Sequence, residues 1–68
     1  MLVRLSKDER FVELYVGGPS GWDYEFAKEE IMTRRGLIRW IHQLSEKNWV
    51  TTEHLHELVE LSNSLVSA

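Results

Sequence analysis

The chain predicts an α+β domain, a small antiparallel sheet of two to three strands packed against an αα-hairpin. Three observations carry that expectation. Apolar and polar residues alternate in short stretches within the first 27 positions, stripes of apolar residues at helical spacing follow Thr33 and Thr51, and Gly17-Gly18-Pro19-Ser20-Gly21 is the one strong breaker in the chain. A chain of 68 residues has room for one core only and buries roughly 60% of the surface its unfolded form exposes.

Leu2-Val3-Arg4-Leu5 and Phe11-Val12-Glu13-Leu14-Tyr15-Val16 are rich in β-branched and aromatic residues, and Val12, Leu14 and Val16 share one parity. They predict strands over about 2–5 and 11–16, paired as a hairpin. The connection Ser6-Lys7-Asp8-Glu9 lacks the Asn-Gly or Asp-Gly of a two-residue turn, which predicts a longer loop built around a type I turn. After the glycine loop, Trp22, Tyr24 and Phe26 alternate with Asp23 and Glu25. This period of two predicts a third strand over about 22–27, aromatics on the core and acids in water.

Thr33 has the chemistry of an N-cap, with Met32 before it and Leu37 at the position that completes a hydrophobic staple. The helix is expected over about 34–45, with Leu37, Ile38, Ile41 and Leu44 as its buried stripe and Trp40 at the edge. Gly36 in its first turn costs about 1 kcal/mol against alanine, a sign of close packing there. Thr51 repeats the device with Val50 and Leu55, predicting a second helix over about 52–64 and a fraying tail from Ser64 to Ala68. Its stripe is Leu55, Leu58, Val59, Leu61 and Leu65, which leaves His56, Glu57, Glu60 and Asn63 to solvent.

The formal charge is −3, and all of it falls after residue 45, where Lys47 stands against Glu46, Glu53, Glu57 and Glu60. A basic cluster, Arg34, Arg35 and Arg39, lies on the first helix. With no cysteine there is neither a disulfide framework nor a thiolate zinc site. No apolar run approaches the roughly 20 residues of a membrane helix, and the first residues do not form a signal peptide, so the expected setting is cytoplasmic and without membrane contact.

Catalytic chemistry has little to stand on. No serine has a recognisable base, the glycine loop lacks the Lys-Ser/Thr ending of a phosphate loop, and Asp23 and Glu25 read as a solvated strand face. His54 and His56 are about 200° apart on a helix and cannot chelate one ion together; both read as solvated residues, and His42 as partly packed beside the first stripe. The expectation is no enzyme, no cofactor and no metal.

Three tryptophans are many for so small a core. Trp40 is the core candidate. Trp22 and Trp49 are either exposed anchors, the type that dominates protein interfaces together with arginine, or plugs over the sheet and between the helices. The candidate partner-binding residues are therefore Trp22, Tyr24, Trp49 and the Arg34, Arg35 and Arg39 face. Nucleic acid is the alternative ligand of the arginines, opposed by the acidic second helix; pairing with Glu29, Glu30 or that helix is their ordinary alternative.

Leu37-Ile38-Arg39-Trp40-Ile41-His42-Gln43, Lys47-Asn48-Trp49 and Leu55, Leu58, Val59 resemble short uncharacterised bacterial and mobile-element proteins, in which a Leu-x-x-Trp-Ile helix, a Lys-x-Trp connection and a Leu-x-x-Leu-Val helix follow a strand. The resemblance spans about residues 22–62 and transfers no activity. In size and style the chain is similar to phage or plasmid accessory proteins, some of which block host defence complexes. The expected function is thus a non-catalytic protein-binding module, in its most concrete form a mobile-element inhibitor of a host complex such as a CRISPR effector. The expected partner is a protein, whether a host complex or a second copy in a homodimer; the alternative is a small nucleic-acid-binding or regulatory protein using the Arg34/Arg35/Arg39 face.

Overall fold

A computed structural model describes residues 1–67. Three strands, β1 (Val3–Leu5), β2 (Phe11–Leu14) and β3 (Tyr24–Ala27), form one antiparallel sheet in the order β1-β2-β3. Two helices follow, α1 (Arg34–Ser45) and α2 (Thr52–Ser67).

Register follows from the apolar alternation. Val3 pairs with Leu14, Leu5 with Val12, Val12 with Phe26 and Leu14 with Tyr24, which gathers the apolar parity of all three strands on one face. On that face Val3, Val12, Leu14 and Phe26 are buried, joined by Ile31, Leu44 of α1 and Leu58 of α2. The hairpin between β1 and β2 turns through a tight bend closed by Glu9 N–H donating to the Ser6 carbonyl. Asp8 accepts from the Ser6 hydroxyl and the Arg10 amide, and these bonds hold its carboxyl below its ordinary range. Glu9 sits at φ 61°, the left-handed region that a side chain enters only at a cost.

Thr33 caps α1 as its sequence requires, its hydroxyl accepting from Gly36 N–H at 3.1 Å. Gly36 has a second reason to be glycine: a Cβ there would stand 2.0 Å from the carbonyl oxygen of Glu30. The 3-10 turn Lys28–Ile31 runs into the start of α1, and only a bare α-carbon admits that approach. α2 is tied to the same segment by Ser62, whose buried hydroxyl donates to the Ile31 carbonyl at 2.6 Å.

Several side chains lie elsewhere than the pattern predicts. The second strand ends at Leu14, and the third begins at Tyr24, two residues later than expected. α2 continues through Ser67, so the expected fraying is not seen from Ser64 to Ser67; Ala68 lies outside the described residues. His42 is exposed, 3.8 Å from Glu46 one turn on, because it falls about 140° around the helix from Leu37. His54 is buried at 4% exposure, since it precedes Leu58 by four residues and shares its face. Glu57, expected in solvent, is half-buried against β1.

Candidate protein-binding face

The helices cover one face of the sheet, and the other carries the opposite parity. Along β2 and its extension, Phe11, Glu13 and Tyr15 alternate with the buried Val12 and Leu14. Arg4, Glu13 and Glu25 form one row across the three strands. Arg4 Nε donates to Glu13 Oε1 at 2.7 Å, and its guanidinium carbon stands 3.9 Å from the centroid of the Trp22 ring, close enough for a cation–π contact. Trp22 in turn meets Tyr15 edge to face at 5.5 Å.

Trp22 is therefore on the outer face, not on the core with Tyr24 and Phe26. The period of two fails there because Gly21, at φ 55°, bridges back to Gly17 and turns the chain before β3 begins. Gly17 and Gly18 are also at positive φ, so the loop that swings Trp22 over the sheet depends on glycine. Phe11 and Tyr15 remain 38% and 37% exposed on this face, large aromatic areas of the kind interfaces use. Glu25 is exposed beside Glu13 and has no ion-pair partner among the described residues.

The tip of the face is held from behind by α2. Thr51 N–H donates to His54 Nδ1 at 3.0 Å, which leaves the ring proton on Nε2, donated to the Tyr15 carbonyl at 2.7 Å. That carbonyl would otherwise accept from Leu2, the opposite residue of the β1 ladder. Leu2 N–H and Val3 N–H go instead to Glu57 Oε1 at 2.8 and 3.1 Å. The Leu2 amide, ahead of a smaller opposing effect of burial and the added Val3 amide, holds the Glu57 carboxyl below its ordinary range. Two side chains of one helix turn thus finish a strand end and fix the backbone under Tyr15.

The residues named from the sequence divide into three places. Tyr24 and Trp49 pack together on the core side at 5.2 Å, with Lys47 over Tyr24 and His54 against Trp49; Trp49 is a plug between sheet and helices. Trp22 is on the outer face. Arg34, Arg35 and Arg39 are exposed on α1, and the expected pairing with Glu29, Glu30 or α2 is not found among the described residues. Glu30 instead accepts from Trp40 Nε1 at 3.0 Å while that indole stacks on Phe26 at 4.0 Å. The sequence reading missed Arg4, Phe11 and Tyr15; the opposite parity of β2 carried the signal for the two aromatics.

A groove of about 290 Å³ between the start of α1 and the end of α2 is lined by Thr33, Arg34, Leu37, Ser62, Asn63 and Val66. It brings no general base to a nucleophile, since Ser62 is committed to Ile31. Among the described residues no group of three or more histidine and acidic side chains is placed to hold a metal, and no helix is long and apolar enough to cross a membrane. Comparison with protein-family models, curated proteins and solved structures finds no match to this chain.

Proposed function

We propose that the chain is a non-catalytic protein–protein interaction module that docks its partner on the outer face of the sheet. The observation that carries this reading is the grouping of Arg4 and Tyr15 against Trp22 on a face that no helix among the described residues covers, with Phe11 exposed further along the same strand. Tryptophan, tyrosine and arginine are the types that carry most interface energy. The matching partner surface offers aliphatic side chains to the aromatics and a basic group to Glu25. Occlusion of a larger host complex by a phage or plasmid protein of this size is the concrete form of the reading.

Photo-crosslinking tests the face itself. A benzophenone amino acid at Phe11 should yield one adduct of defined mass in cell extract, lost on Trp22→Ala, while the same probe at Arg39 yields none. Adducts from Arg39 alone, or Phe11 adducts indifferent to Trp22→Ala, would contradict the reading.

The arginine face supports a second reading, contact with nucleic acid, because Arg34, Arg35 and Arg39 are exposed without acidic partners among the described residues. Phosphate neutralisation predicts retention on DNA or RNA that falls steeply with salt and is abolished by Arg35→Glu. Absence of retention at low salt sinks this alternative.

A further inference from the structure

The two edges of the sheet are finished differently. In β2, the residues bonded to β3 are those opposite Lys28, Phe26 and Tyr24, since Lys28 N–H donates to the Arg10 carbonyl and the pairing alternates from there. Glu25 and Ala27 therefore turn their amides away from β2. No group among the described residues accepts from either. On the β1 edge Glu57 caps the Val3 amide and leaves one outward amide, that of Leu5, without an acceptor among the described residues, against two on β3.

An open edge invites another strand. We propose that the occupant is a second copy of this chain, β3 pairing antiparallel with the β3 of its twin about a two-fold axis at Phe26. The argument for a second copy is that the edge is complementary to itself in one register. With Glu25 opposite the twin's Ala27, each Ala27 amide donates to a Glu25 carbonyl, and each Glu25 amide donates to an Ala27 carbonyl. The Ala27 carbonyl begins the 3-10 turn Lys28–Ile31 and has a second lone pair for this bond. The register also keeps the two Glu25 carboxylates from standing directly opposite each other, where like charges destabilise a sheet. The reciprocal contact is the isologous geometry of a closed dimer. It joins two three-stranded sheets into one of six and leaves the outer face of each free for the partner proposed above, so either proposal can fail without the other.

The Ala27 backbone supplies a clean test. Its φ of −64° and ψ of 137° are those proline adopts, and its amide is unused within the chain, so Ala27→Pro removes the proposed donor without disturbing the fold. Sedimentation equilibrium up to about 1 mM, the weak end of measurable association, should show a monomer–dimer equilibrium for the unaltered chain. Ala27→Pro should weaken it about thirtyfold, two hydrogen bonds being lost per dimer, with an unchanged far-ultraviolet spectrum. In the unaltered chain, amide exchange at Glu25 and Ala27 should slow as concentration rises. A chain monomeric throughout the range, a dimer indifferent to a folded Ala27→Pro, or exchange at both amides independent of concentration would each overturn the proposal.

Discussion

The two faces of the sheet are made by alternate residues of the same strands, and both carry aromatic rings, yet they do different work. On the inner face Phe26 is 7% exposed under the Trp40 indole; on the outer face Phe11 and Tyr15 keep more than a third of their surface in water. Aromatic content alone does not say which face is the core. What separates them is what lies beyond: α1 and α2 bring Leu44 and Leu58 to one side, and among the described residues the other receives no helix, its added cover being Trp22 from the glycine loop.

If the inner face carries the stability, Leu14→Ala has the largest effect. Leu14 is fully buried, and such truncations cost about 2–5 kcal/mol, much of the stability of a typical small domain; thermal denaturation should show a collapsed melting temperature or an unfolded chain. Gly36→Ala comes next. Helix propensity favours alanine by about 1 kcal/mol, but the Glu30 carbonyl at 2.0 Å forces the backbone apart, so urea titration should show a net loss of about 1–3 kcal/mol. A neutral or stabilising result would mean that the turn before α1 yields easily.

Glu57 joins the two faces, since it completes β1 from the helix layer. Its folded carboxyl titrates below its ordinary value of 4.5, so the bond stabilises the fold above the unfolded value and is lost as pH falls through the lower, folded one. Glu57→Gln should be less stable than the parent at neutral pH by about 1–2 kcal/mol. The gap should close below the ordinary glutamate range; a gap that persists in strong acid would show that packing, not charge, holds the strand end. Smallest is the effect of Phe11→Ser on stability, within about 0.5 kcal/mol by chemical denaturation.

Local rules made much of this legible. The α+β class and the three-stranded order follow from periodicities of two and 3.6, and α1 begins and ends where Thr33 and the Leu37, Ile41, Leu44 spacing place it, although Ile38, expected in the same stripe, is exposed. Gly36 announced its close contact by being a poor helix former. Trp22 escaped because a turn of three positive-φ glycines inverts its face, and parity cannot be carried across such a turn. His54 and Glu57 escaped because their polarity outweighed their position: His54 lies four residues before Leu58, and both side chains serve backbone groups some 40 to 55 residues away in sequence. The arginines were legible as a cluster, but whether acids would reach them depended on how α1 and α2 are placed.

The central claim, that the open face binds a protein, is tested most directly by Phe11→Ser with Tyr15→Ser in one chain, compared with the parent for stability and for capture of the crosslinked partner. The double variant should keep the helical spectrum and melting temperature of the parent and lose the partner. A folded double variant that still captures the partner at parental yield would contradict the account.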